Sequence, residues 1–353
     1  MGLDTYTRSE QDRSRLPMGK GATLCRKAVL LGCLIASLAS PSTAVAATPF
    51  ADISSAGPLT HVYIGNELSC QVAHVGDAVL ELFPSSVIPG DCGSFLVAGN
   101  ALFAPDFANH GGTATAGLGA YTPFTPVSQS AVTGSGTPAD PFMVVTVVDA
   151  GTTGLRITET DSYVVGQGAY RTDVAILNTG AAAQDVLLYR AGDCFLQGSD
   201  IGFGFVDVAN KSVGCSANAN NSPPGRIEEW VPITGANNYY EANYAEVWAQ
   251  IGSHTAFPDT CRCTEFIDNG AGISWSFSVP AGGSITRSHL TVFSPLGIDV
   301  LIDDATVTEG NSGTVNATFT ATLSPASGQT VSVGFGTSDG TATRPADYLA
   351  NGG

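Results

Sequence analysis

An all-β chain, with most of its mass in a sandwich, is the fold that the sequence predicts, and three observations predict it. Apolar and polar residues alternate with a period of two in many short runs, the signal of strands half-buried on one face. The 42 glycines and 19 prolines among 353 residues interrupt the chain too often for long helices. Valine, isoleucine, threonine and aromatic residues fill the runs between these breaks, as strands prefer. Only 13% of the residues are charged and 43% are hydrophobic, so the chain can bury a core and is not of disordered composition.

The first 46 residues read as a signal region. Arg26 and Lys27 precede the apolar run Ala28–Leu38, which is too short to span a bilayer, and Ala44-Val45-Ala46 supplies a small-residue cleavage site. The expectation is export to the extracellular space or cell surface, with translation starting at Met18. Leu30-Leu31-Gly32-Cys33 has the outline of a lipoprotein box, but cleavage there would cut the apolar run short. After residue 46 there are 8 basic and 28 acidic residues, a formal net charge of −20, and Lys211 is the single lysine. Such a surface repels nucleic acid and anionic lipid and attracts divalent cations. No later apolar stretch is long enough for a transmembrane helix.

Six cysteines follow the signal: Cys70, Cys92, Cys194, Cys215, Cys261 and Cys263. An even number in an exported chain points to disulfides. Proximity favours Cys70–Cys92 and leaves the other four open. Cys261 and Cys263 flank a single residue and are expected to reach different partners. A four-cysteine zinc site is the alternative, but the spacing lacks the paired knuckles of such sites.

The remaining chain divides by composition. Residues 47–140 predict a small β region with strands at His61–Ile64 and Ser94–Val97, then a Gly/Thr/Pro-rich connector from Gly111. Residues 141–296 predict the main sandwich. Met143–Val148 reads as a central strand, followed by Asp173–Asn178, Asp185–Tyr189, Ile273–Val279 and Ser284–Val292. Pro295 and Gly297 interrupt the β pattern and mark its end.

Three groups of residues in this region carry candidate chemistry. Asp193, Asp200 and Asp207 surround glycine turns and could hold a calcium ion or make Asx-turns. Tyr239, Tyr240, Tyr244 and Trp248, with nearby amides and carboxylates, suit stacking on a sugar or packing in a core. Glu228, Glu229, Glu241 and Glu246 are numerous enough for a two-carboxylate glycosidase, although Glu228-Glu229 reads as a solvated edge. The five histidines are scattered, and neither a zinc-protease helix motif, a serine nucleophile elbow nor a phosphate loop is present.

At the C-terminus Val315, Ala317, Phe319, Ala321 and Leu323 alternate with polar residues, and Val331, Val333 and Phe335 resume the alternation after a Pro/Gly loop. Around them stand Asp303-Asp304, the Thr308–Gly313 turn, the Asp339–Ala342 stretch and Ala346-Asp347-Tyr348. In this order residues 298–353 resemble the N-terminal half of a Calx-beta domain, an immunoglobulin-like sandwich, here truncated. The resemblance implies a calcium site with Glu309 and Asp347 as ligands, approached by Asp303 and Asp304, incomplete without the aspartates of the later half. It also implies a module that is repeated in a longer chain. The leading expectation is therefore a non-enzymatic, membrane-associated or secreted surface protein for adhesion, with calcium and another surface protein or a polysaccharide as partners. The alternatives are a carbohydrate-binding protein and a secreted carboxylate-based hydrolase.

Overall fold

The structure is a computed structural model, and it describes residues 49–107, 110, 112, 114–219, 226–293, 299–302, 305–308, 313–324, 333–339, 341–349 and 351–352. The signal region and the segment 294–298 expected as a boundary lie outside them. From residue 49 the chain is all-β. β1 (Phe50–Ser54), β2 (Leu59–Gly65) and β3 (Cys70–His74) pair in that order as a small antiparallel sheet. The next elements are β4 (Cys92–Ala98), β5 (Ala101–Ala104), a one-turn helix α1 (Ala114–Leu118), β6 (Thr122–Pro123) and β7 (Thr125–Gln129). Then come β8 (Phe142–Asp149), β9 (Leu155–Tyr163), β10 (Ala169–Asn178), β11 (Gln184–Asp193), β12 (Ile201–Asp207), β13 (Ser212–Ser216) and β14 (Ile227–Pro232). β15 (Asn238–Asn243), the helix α2 (Tyr244–Gly252), β16 (Thr260–Cys261), β17 (Ile267–Val279) and β18 (Ser284–Phe293) complete the body, and β19 (Asp299–Ile302) pairs with β20 (Ala321–Ser324).

One hydrogen-bonded path runs β6-β5-β4-β11-β17-β12-β13-β14-β18-β10-β9-β8-β7, with β15 and β16 attached beside β17. A single apolar cluster draws Leu96, Leu188, Ile273 and Trp275 from one stretch of this path and Val144, Ile157, Val174 and Ile176 from the other. The sheet therefore turns back on itself into two facing leaves with a shared interior, the sandwich solution for alternating strands. β9 shows the alternation plainly, burying Leu155, Ile157, Glu159, Asp161 and Tyr163 between more exposed residues. A second cluster lies outside the sandwich, where α2 brings Val247, Trp248 and Ile251 against Phe95, Phe107, Tyr189 and Phe257.

Several expectations meet a different arrangement. The sheet crosses the composition boundary near residue 140, since β4 pairs with β11 and β7 pairs with β8. The strand expected to be central, β8, lies next to the edge strand β7. Its valines are buried by the facing leaf rather than by a central place in the sheet. The alternation from Val315 to Leu323 yields only the four-residue β20, and Val315 and Phe319 are exposed. An isolated strand pair gives such a pattern no surface to bury against.

The cysteines pair as Cys70–Cys92, Cys194–Cys215 and Cys261–Cys263. The expectation that Cys261 and Cys263 reach different partners is thus corrected: the chain bends sharply at Arg262 and brings their Cα atoms to 5.2 Å, well within bridging range. The three bonds differ in what they constrain. Closing the loops of 22 and 21 residues removes roughly 3 kcal/mol of unfolded-chain entropy each, and closing two residues removes about a third as much. Replacing Cys194 and Cys215 by serine is expected to cost about 3 kcal/mol in urea unfolding, and the same change at Cys261 and Cys263 under half of that. Equal losses from the two double variants would refute the ranking.

Candidate active site

β11, β12, β15 and β17 meet at one end of the sheet, and acidic residues collect there. Asp193 ends β11 opposite Gly270 of β17, and Asp268 lies two residues earlier on the same strand, opposite Ile201 of β12. Asp200 immediately precedes β12. Asp91 precedes β4 and is tied to Asp193, whose backbone N–H donates to the Asp91 carbonyl at 2.8 Å. Tyr244 begins α2 and leans over the same strand. Glycine at 270 permits this approach, because a Cβ there would lie 3.2 Å from Tyr244 Cα and 2.9 Å from the Gly192 carbonyl.

Burial first, and neighbouring charge second, raises these carboxyls. Asp193 is buried, and burial first, then Asp91, Asp268 and Asp200, holds its proton well above the usual carboxylate range. Asp268 is half-buried, and burial together with the charge of Asp200 pushes it up to about 6. Asp200 is raised by burial alone. The Tyr244 hydroxyl is raised by burial and then by the charges of Asp268, Asp193, Asp91 and Asp200. Oδ1 of Asp193 and Oδ1 of Asp200 are buried without a hydrogen-bond partner. Such atoms are expensive in a finished core and ordinary in a site built to hydrogen-bond a ligand.

Behind this end, the sandwich interior holds a second ionisable group. Arg190 of β11 points inward, its Nη1 lying 3.6 Å from Glu159 Oε1 and its Nη2 donating to the Tyr170 hydroxyl at 2.7 Å. Ser94 Oγ donates to Glu159 Oε2 at 2.5 Å, and Thr172 Oγ1 donates to Asp161 Oδ1 at 2.7 Å. One guanidinium faces two carboxyls. Burial and then the charge of Glu159 keep Asp161 protonated well above its usual range. His289, fully buried against Trp275, is held neutral by burial and by the Arg190 charge. These groups are sealed from solvent and serve the fold rather than a substrate.

Of the four aromatic candidates, Tyr244 alone stands beside the acids. Trp248 is fully buried, 5.7 Å from the Phe95 ring and 6.4 Å from Phe107. Tyr239 is buried, and Tyr240 donates toward Glu246 Oε2 at 3.4 Å. Glu228 is not on a solvated edge: its side chain faces inward from β14, where burial, Glu81 and Asp193 keep it protonated well above the usual range. Its neighbour Glu229 takes the outward face. Glu241 is buried and hydrogen-bonded, and Glu246 is ion-paired with Arg262 at 2.8 Å. Asp207 stands apart from Asp193 and Asp200, accepting from Ala209 N at 2.9 Å in an Asx-turn.

Asp303, Asp304 and Glu309 lie outside the described residues. Asp347 accepts from Thr343 N at 2.8 Å. Among the described residues no group of three or more His, Cys, Asp or Glu side chains is arranged to hold a metal ion. Sequence reasoning singled out Asp193 and Asp200 but missed Asp91 and Asp268. The only local signal at Asp268 is a carboxylate two residues before a glycine on an alternating strand.

No protein-family model matches the chain, and no curated protein matches it. Among solved structures, a candidate aldose 1-epimerase from Escherichia coli K12 matches with 10% identity and a TM-score of 0.36, over 69% of this chain and 98% of that one. A galactose mutarotase-like protein from Clostridium acetobutylicum matches with 6% identity and a TM-score of 0.34, over 66% and 92%. A heparan sulfate lyase from Pedobacter heparinus matches with 9% identity and a TM-score of 0.33, over 79% of this chain and 43% of that one. The expectation of a non-enzymatic adhesion protein is corrected, since these three structures are named for sugar chemistry, while the calcium site expected at Asp303, Asp304 and Glu309 falls on residues outside those described.

The inward placement of Glu228 has a measurable consequence. A carboxyl kept protonated by the fold favours folding below the ordinary glutamate pKa of about 4.3, and that contribution is lost as pH rises toward the raised value. Glu228→Gln should therefore raise the melting temperature at pH 7, where the native carboxyl has lost that contribution. The gain should vanish near pH 4. A variant less stable than the native chain at pH 7 would place a working charge at Glu228.

Proposed function

We propose that the chain is an exported carbohydrate-active enzyme that cleaves glycosidic bonds by carboxylate acid–base chemistry at Asp200 and Asp268. The observation that carries this reading is the pair itself. Asp268 titrates near 6, raised in part by the charge of Asp200, whose Oδ1 has no hydrogen-bond partner. Two carboxyls with separated proton affinities are what glycoside hydrolysis requires, one to protonate the leaving oxygen and one ionised to act from the other side. Asp268 is the acid and Asp200 the ionised partner. Tyr244, half-buried beside both, supplies an aromatic face for the apolar side of a sugar ring. Asp193 stays neutral, which keeps the site from accumulating further charge that would weaken the acidity of Asp268. The disulfides fit a working place outside the reducing cytosol, and a polysaccharide is the natural partner of such a site.

The test is turnover on a panel of soluble polysaccharides, read as new reducing ends. Asp268→Asn should lower kcat about 100-fold or more while leaving the melt unchanged. In the native chain kcat/KM should fall as pH rises through about 6, the limb of the acid Asp268. Carboxyl titration by carbon NMR should show Asp268 moving down in Asp200→Asn, because the charge that raises it is gone. Turnover that survives Asp268→Asn, or binding without turnover across the panel, would overturn the enzymatic assignment.

A further inference from the structure

The three disulfides fall into two kinds. Cys70, Cys92, Cys194 and Cys215 are buried in the apolar core. Cys261 and Cys263 are only half-buried, and Thr264, Glu265 and Phe266 after them are exposed. A ring spanning one intervening residue does little to restrict the unfolded chain, so conformational stability gives weak reason for this bond to exist. Its surroundings are those of a reactive one. Cys261 is fixed in β16, paired in register with Glu241 of β15, while Cys263 sits on the turn beyond. Cys261 Sγ lies 3.3 Å from Glu241 Oε2, and the N–H of Arg262 donates to the same oxygen at 2.8 Å. Burial above all raises the proton affinity of that carboxyl, while Asn269 and Arg262 moderate the rise. Arg262 is the residue between the two cysteines. It is held by Glu246 at 2.8 Å and lies 3.7 Å from Glu265.

We infer that Cys261–Cys263 is a thiol–disulfide exchange site, with Glu241 as the proton donor and acceptor for Cys261. An incoming thiolate attacks Cys263 Sγ, the end on the turn, and forms a mixed disulfide. The bond between the two sulfurs breaks, its electron pair leaves with Cys261 Sγ, and Glu241 transfers its proton to that sulfur. A second thiolate on the mixed disulfide then takes Cys263 away as a thiolate. The bridge has gained two electrons and the two external thiols are joined as a disulfide. In the reverse direction the reduced pair, with Glu241 accepting the Cys261 proton, reduces a disulfide of the same class. This chemistry is independent of the carboxyl pair at Asp200 and Asp268.

The test uses the intact exported chain in graded glutathione buffers, with alkylation and mass spectrometry to count open bridges. Cys261–Cys263 should open while Cys70–Cys92, Cys194–Cys215 and the circular dichroism spectrum stay unchanged. In Cys261→Ser the glutathione adduct should sit on Cys263. Glu241→Gln should slow opening of the bridge about tenfold at neutral pH, as loss of one acid–base group does at the low end. If that variant does not fold, the pH dependence of opening in the native chain replaces it, and a rate that follows glutathione thiolate alone counts against Glu241. A parallel arm offers a peptide with two cysteines: faster exchange with it assigns protein thiols, and faster exchange with glutathione assigns small ones. Inertness toward both, or opening of all three bridges together with unfolding, overturns the assignment.

Discussion

The guanidinium of Arg190 is the interaction around which the sandwich interior is organised. It enters from β11 and meets Glu159 on the opposite leaf, Tyr170 on β10 and Ser94 on β4. Four strands on two leaves are thereby tied at one point. A cation sealed between sheets is costly unless every neighbour is polar and placed to answer it. The inward positions nearby accordingly carry Asp161, Thr172 and His289 where apolar residues would otherwise stand. Removing Arg190 would leave Glu159 without its one cationic neighbour among the described residues, so the cluster stands or falls as a unit.

That same requirement reaches toward the acidic end of the sheet. Arg190 lies two residues before Gly192 and three before Asp193 on one strand, and its charge is felt at Glu228 as well as at Glu159. From the interior to the rim, cationic support runs out: Glu228, Asp193 and Asp268 each hold a raised proton, and their exposure increases in that order. The rim is where a substrate can reach such a group. The raised proton of Asp268 thus draws on the low dielectric of the core while the group itself stays within reach of solvent.

The all-β character was legible because alternation and turn residues report on each strand locally. Val144–Val148, Val174–Ile176 and Trp275–Val279 appear where the period of two places them. Which leaf a strand joins, and whether it lies at the centre or edge, depends on partners far away in sequence, so β8 was misplaced. The alternation marks Glu228 as one of a strand's two faces without saying which is buried. It falls inward because β14 pairs in register with β18, Trp230 facing Thr291. The acid group was half visible, since Asp193 and Asp200 lie close in sequence. Asp91 and Asp268 arrive from positions more than 65 residues away on either side, and no local pattern announces them. Trp248 misled because an aromatic run shared between a strand and a helix has the composition of a sugar platform.

The joint between β15 and α2 contains no spare residue. Asn243 ends the strand, and its side chain accepts from Ala245 N at 3.1 Å to cap the helix that Tyr244 begins. Tyr244 must face the acids while Trp248, one turn later, fills the space against Phe95. A helix advances about 100° per residue, so one inserted or deleted residue between them would turn one aromatic away from its place. This junction is therefore intolerant of any change in length. The loops that close the outer hairpins are the places where the chain can grow or shrink.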